Sequence, residues 1–277
     1  MPPHTSPVTA APRTGFAYLD EGRAGGSLIA MAHRGGARHP ELPGAENTLH
    51  AFRHAAALGY RYLETDVHAT TDGTLLAFHD AVLDRVTDRQ GRLSLLSAQD
   101  VALARIAGAH AVPTMAELLE ELPEARFNID LKSAASVAPL AALVDRTASH
   151  DRVCIGSFSQ SRLDRFRRLS RGRVATSASP QEVALFVGSP SGRVSRLLTR
   201  GKVAALQVPH RRGPVPVVTA ALVRRAHAAR AQVHVWTVDE PDEMEELVDL
   251  GVDGLITDRT DVLKDVLVRR GLWKDPA

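Results

Sequence analysis

Cysteine is almost missing: Cys154 is the only one in 277 residues. No intramolecular disulfide and no thiolate metal cluster can form, and a reducing compartment is permitted without being required. Aromatic residues make up only 4% of the chain, which makes Trp236 conspicuous. No run of about 18 apolar residues occurs, so no transmembrane helix is expected. The amino-terminal stretch, residues 1–14, is rich in Pro, Thr and Ala and has no apolar segment of signal-peptide length. It is expected to form a flexible tail ahead of a single barrel domain spanning 15–277, in a cytoplasmic protein. The formal charge of +2 is nearly balanced, so no global positive field points to a nucleic-acid partner.

What is present begins with Arg61-Tyr-Leu-Glu-Thr-Asp-Val67. Aromatic, aliphatic and β-branched residues without Gly or Pro predict a strand. Side chains alternate along a strand, so Glu64 and Asp66 share one side while Leu63, Thr65 and Val67 share the other. Two carboxylates on one buried face repel each other and lose hydration. They require a divalent cation or a Lys/Arg cluster beside them. Taken alone, a Glu-x-Asp strand is more simply an edge strand with its acidic face in water.

The rest of the chain repeats one rhythm. Strands are predicted to start at Leu28, Arg61, Arg126, Arg152, Arg173, Val203, Gln232 and Asp253, each followed by a helix. Eight such units predict an α/β fold, a (β/α)8 TIM barrel. Thr48 or Asn47 is expected to cap the first helix and Gly59 to stop it. Leu75 to His79 reads as a further short strand, and 81–112 as a small irregular excursion after the second barrel strand. Residues 188–202 read as a mobile loop over the barrel mouth or an extra helix.

Barrel strands are apolar because both faces are covered, yet polar residues interrupt them at one end. His33 ends the first strand, Glu64 and Asp66 the second, and His79 the hairpin after it. Asp130 ends the third with Lys132 just beyond; Ser157, Gln207 and Trp236 lie near the ends of the fourth, sixth and seventh. These are carboxy-terminal positions, the face on which such barrels carry chemistry. Glu64, Asp66 and Asp130 form an oxygen set suited to Mg2+ or Ca2+. With no cysteine ligands and the histidines on other loops, zinc is disfavoured. His33 and His79 are candidates for an acid–base pair. Arg34 and Lys132 suit an anionic substrate, most naturally a phosphate ester. Together these groups point to phosphodiester cleavage by in-line displacement.

With those residues in hand, the chain resembles the glycerophosphodiester phosphodiesterase family. The matching pieces are His33-Arg34-Gly35, Glu46-Asn47-Thr48, Glu64-x-Asp66-Val67, Thr71-Asp72-Gly73, His79-Asp80 and Asp84-Arg85-x-Thr87. Further on come Pro113-Thr114, Asn128-Ile-Asp130-Leu-Lys132, Ser157-Phe158, Trp236-Thr237-Val238 and Gly251 to Asp258. The resemblance implies a metal-dependent barrel that converts a glycerophosphodiester to glycerol 3-phosphate and an alcohol. It places His33 and His79 at the general acid and base, and Glu64, Asp66 and Asp130 at metal ligands. Arg34 and Lys132 match phosphate-binding positions, and Trp236 an aromatic wall on the substrate. Glu46 and Asn47 match positions near the metal and the phosphate, Glu46 as a further ligand and Asn47 toward the substrate. The family's proposed mechanism has the substrate's neighbouring hydroxyl attack phosphorus, after which water opens the cyclic phosphate.

Two departures bear on this. The family commonly has Glu where Asp130 stands, and Asp there also resembles sphingomyelinase D-type phospholipases. The excursion 81–112 leaves little room for a large cap domain. The alternative reading is therefore an enzyme of the same barrel acting on lysolipids as a lysophospholipase D; a catalytically silent phosphate-binding barrel is the rival from another class. Asp72, Asp80 and Asp258 read as turn and cap residues. Cys154 reads as core, and the arginines between Ser161 and Arg173 as a solvated helix face. Arg211-Arg212, on the sixth strand-to-helix loop, is the candidate for weak contact with a membrane surface.

Overall fold

The apolar runs form the strands that periodicity predicts. In chain order they are β1 (Ile29–His33), β2 (Tyr62–Ala69), β3 (Arg126–Leu131), β4 (Val153–Gly156), β5 (Ala175–Thr176), β6 (Ala205–Pro209), β7 (Gln232–Trp236) and β8 (Gly254–Thr257). The structure, a computed structural model, describes residues 11–274. Neighbouring strands run parallel in the order β5-β4-β3-β2-β1-β8-β7-β6. The two ends meet through a bridge from Ser177 to Ala205. The Ala204 N–H also donates to Thr176 O at 3.0 Å, and the Ala178 N–H to Ala205 O at 2.8 Å. The sheet is thus a nearly closed (β/α)8 barrel, as predicted.

Alternation along the strands divides the core in two. Leu63, Phe127, Ile129, Ile155, Val233 and Leu255 face outward, where Phe52, Leu140, Phe166, Leu222 and Leu263 of the helices cover them. Fully burying one such side chain contributes about 1.5–3 kcal/mol. The inward set is smaller: Ile29, Met31, Tyr62, Cys154, Ala175, Ala205 and Ile256. Tyr18 and Leu19 of the short helix Ala17–Asp20 complete it, both almost wholly buried. The Tyr62 hydroxyl donates to Tyr18 O at 2.6 Å, and Gln232 Nε2 to Leu19 O at 3.2 Å. This segment seals the end of the barrel opposite the strand carboxy termini. Four helical residues carry no readable periodicity, so pattern gave no sign of the plug. The predicted tail lies mostly outside the described residues, although Thr14 is tied to Asp20 through its N–H and hydroxyl, both at 2.8 Å.

The helix Leu49–Ala57 is capped by Thr48, whose hydroxyl accepts the Ala51 N–H at 3.1 Å. Leu75–Ala77 pairs antiparallel with β2. The excursion after it is less irregular than expected. Leu83, Leu93, Val101, Ala104 and Ile106 bury against Leu76 and Phe78 as a small core of their own. Within 188–202 the chain forms the helix Gly192–Leu198. A side chain at Gly192 would collide with the backbone of the helix Ala220–Ala228, only 2.3 Å from Arg225 O. That packing puts the segment in the outer helical layer and makes it the extra helix of the two alternatives.

Candidate active site

Strand register sets out the polar groups. His33 of β1 lies beside Glu64 of β2, and Glu64 beside Asn128 of β3. Two residues nearer the carboxy end, Asp66 lies beside Asp130. Glu64, Asp66 and His68 all point inward, the parity that alternation predicts.

Glu64 and Asp66 are buried, and cations surround the pair. Lys132 Nζ bridges Asp66 Oδ1 at 2.9 Å and Asp130 Oδ2 at 2.8 Å. Arg34 Nε lies 3.4 Å from Asp66 Oδ2, and its Nη1 3.1 Å from Glu46 Oε1. Burial pushes the Asp66 carboxyl up, but Lys132, Arg34 and then His79 outweigh it and hold it below the usual carboxylate range. Glu64 goes the other way: burial and the charge of Asp66 raise it.

The loop after β1 adopts left-handed backbone at both rims of the site, with φ of 51° at Arg34 and 57° at Asn47. The turn at Arg34 aims its N–H at Glu64 Oε2, at 3.2 Å. Asn47 joins the two faces of β2: its Oδ1 accepts the Thr65 hydroxyl at 2.8 Å, and its Nδ2 donates to Asp66 Oδ2 at 3.4 Å. Gly35 must be glycine here, because a Cβ would lie 2.8 Å from that of Ala51 and φ is +85°.

Both imidazoles are oriented by carboxylates read from sequence as turn residues. His33 Nδ1 is 2.7 Å from Asp258 Oδ1, and His79 Nδ1 is 2.6 Å from Asp80 Oδ1. An ionised carboxylate only accepts, so each Nδ1 carries the proton and each Nε2 is left for other work. His33 Nε2 is 3.7 Å from Glu64 Oε2. Burial pushes His33 down, yet Glu64 and Asp258 prevail and raise it overall. Asp72, by contrast, is the turn residue expected, accepting the Ala98 N–H at 3.1 Å.

Two further residues had no role by pattern. Arg85 of the excursion clamps both oxygens of Glu46 at 2.7 and 2.8 Å and reaches Asp80 Oδ2 at 2.5 Å. It thereby ties Glu46 to the carboxylate that orients His79. His68 donates from Nε2 to His79 O at 3.1 Å. Ser157 and Gln207 serve the barrel itself. The Ser157 hydroxyl donates to Leu131 O at 2.9 Å, and Gln207 Nε2 donates to Asn128 Oδ1 at 2.9 Å beneath the site. Trp236 meets Phe158 edge-on at 5.9 Å between centroids, and Lys132 lies over the Phe158 ring.

Compared with known proteins, the chain matches the profile of the glycerophosphoryl diester phosphodiesterase family over residues 33–262. The chain belongs to this family. It is a phosphoric diester hydrolase, and His33, Arg34, Glu64, Asp66 and Lys132 all fall within the matched span. It is 45% identical over 250 residues to a probable glycerophosphodiester phosphodiesterase 2 of Mycobacterium tuberculosis, covering 90% of this chain and 94% of that one. A Silicibacter pomeroyi structure given the same family name superimposes with a TM-score of 0.77 at 24% identity, covering 94% and 100% of the two chains. An Oleispira antarctica phosphodiesterase in complex with the product sn-glycerol-3-phosphate gives a TM-score of 0.73 at 20% identity, covering 87% and 97%.

The two orienting carboxylates of this phosphodiesterase make a prediction. With His33 and His79 in the acid and base roles that the resemblance implies, Asp258→Asn and Asp80→Asn are expected to lower kcat by roughly tenfold to a hundredfold, part of the 10²–10⁴ that general acid–base catalysis supplies. Removing the Asp258 charge also leaves burial less opposed at His33. The limb of the kcat/KM profile governed by that ring should then move to lower pH in Asp258→Asn, as measured by initial rates across pH.

Proposed function

We propose that the protein hydrolyses glycerophosphodiesters to glycerol 3-phosphate and an alcohol, with a divalent cation, Mg2+ or Ca2+, and paired histidines. The observation that carries this is the pairing of each imidazole with its own carboxylate through Nδ1, at the rim of a buried acidic couple.

The oxygen donors are of the type a hard cation takes, although the ligand atoms of Glu64, Asp66 and Asp130 are not gathered within 4.8 Å of one another and Lys132 stands between Asp66 and Asp130. Glu64, Asp66, Asp130 and Glu46 set four formal negative charges against three on Arg34, Lys132 and Arg85. Glu64, Asp66 and Asp130 are the residues to hold the ion; Glu46 is engaged by both Arg34 and Arg85 and supports them. When bound, the ion supplies positive charge to the phosphoryl oxygens. Arg34 and Lys132 bind the same phosphate, and Asn47 fixes the loop that carries Arg34. One of His33 and His79 takes the proton of the attacking hydroxyl at Nε2, and the other delivers a proton to the leaving alcohol oxygen. Trp236 and Phe158 form the apolar wall beside them. Arg211 and Arg212, both exposed on a hairpin beyond β6, provide weak contact with an anionic surface.

Release of glycerol 3-phosphate from glycerophosphocholine tests the reading. Turnover is expected in Mg2+ or Ca2+, lost in EDTA and restored by the ion. Turnover that persists in EDTA would remove the cation from the reaction. Choline release from lysophosphatidylcholine without glycerol 3-phosphate formation would transfer the assignment to a lysophospholipase D.

A further inference from the structure

His39 and Glu41 lie on the loop after β1, and His54 on the helix Leu49–Ala57 that follows. None of the three takes part in the proposed reaction. One ligand atom from each lies within 4.8 Å of the other two, the closest such grouping of His, Cys, Asp or Glu among the described residues. The two rings are 4.4 Å apart between centroids and tilted by 59°.

The donor atoms already face one another. His54 Nε2 is 3.0 Å from Glu41 Oε2, close enough for both to reach one ion, which would take the place of the proton now between them. His54 Nδ1 is buried and has no hydrogen-bond partner, so no other group of the protein holds the ring proton at Nε2. His39 offers a second lone pair, now occupied only by a long 3.2 Å bond from the Glu41 N–H to its Nδ1. The nearby Arg259 guanidinium is paired with Asp261 at 2.8 and 2.9 Å and presents no uncompensated charge.

We propose that His39, Glu41 and His54 form a second metal site, selective for a borderline transition ion such as Zn2+ or Co2+ over Mg2+ and Ca2+. Two imidazoles with a carboxylate suit such ions, whereas hard ions take oxygen donors. The site would staple the middle of a loop whose two ends carry Arg34 and the pair Glu46 and Asn47.

The test uses the full-length, tag-free protein in excess Mg2+, which fills oxygen sites. Co2+ is titrated in and followed by its visible ligand-field absorption, with stoichiometry from metal analysis after dialysis. One Co2+ per chain is expected, weakened at least tenfold in each of His39→Gln and His54→Gln, and unchanged in Asp66→Asn. Zn2+ should raise the Tm of the parent protein and leave that of His54→Gln where it was. Glu41→Gln, at an exposed position, serves as a third variant should a histidine variant fail to fold, and is also expected to weaken binding. No uptake by the parent protein, uptake indifferent to His39 and His54, or uptake abolished by Asp66→Asn would overturn the proposal. None of these readouts needs turnover, so this site and the proposed reaction stand or fall separately.

Discussion

His79→Ala and His33→Ala are each expected to lower kcat on glycerophosphocholine by roughly 10²–10⁴-fold, the range that positioned proton transfer contributes. KM should change little, because in the proposed reaction Arg34 and Lys132, rather than the rings, hold the phosphate. The two substitutions should not be additive: once one proton transfer is lost, the step that needs the other is no longer reached in the same form. The double variant is therefore expected to fall close to the worse single one. Steady-state kinetics of the three variants check this, with circular dichroism to establish that each is folded. Folding should survive, since both rings sit at the rim, with side chains 17% and 34% exposed. Retention of near-parental kcat in either single variant would take that histidine out of the mechanism.

Asp66→Ala is expected to affect activity and stability together. Its carboxylate is almost fully buried and is shared by Lys132, Arg34 and Asn47. Breaking a buried charge network by removing one partner typically costs about 3–5 kcal/mol, because the remaining charges stay desolvated. Part of that loss is offset here, since the repulsion that raises Glu64 disappears with Asp66. A net loss at the lower end of that range, on the order of 3 kcal/mol, is the expectation from urea denaturation. Turnover should be lost as well, because Lys132 keeps only its Asp130 partner and, in the proposed reaction, a cation donor is gone. Asp66→Asn separates the two effects: it keeps the shape and the Asn47 contact, loses the charge, and should still lose turnover. Parental activity in Asp66→Asn would rule out a cation held at this position.

The parts of this protein legible in sequence are those governed by local repetition. Strand starts fell within two residues of their observed positions, because an apolar run bounded by polar residues is a property of adjacent positions. Placing Glu64 and Asp66 on one inward face needed only the two-residue alternation of β2, and the barrel then followed from counting units. Where burial was imposed from a distance, pattern failed. Tyr18 and Leu19 are core because the open end of the barrel needs a plug, and nothing in their own segment says so. Arg85 showed only as part of a familiar motif, and its clamp on Glu46 and Asp80 exists because the excursion folds back over the mouth.

The chain alone determined the (β/α)8 alternation, the gathering of polar residues at strand carboxy ends, and the acidic, cationic and imidazole chemistry of the mouth. Only closure of the barrel decided which carboxylate meets which ring. Asp258 reaches His33 across 225 residues because β8 hydrogen-bonds to β1, and it had read as a cap. Periodicity is written in neighbouring residues, whereas a hydrogen-bond partner is chosen by strand register and ring closure, which exist only once the whole sheet has formed.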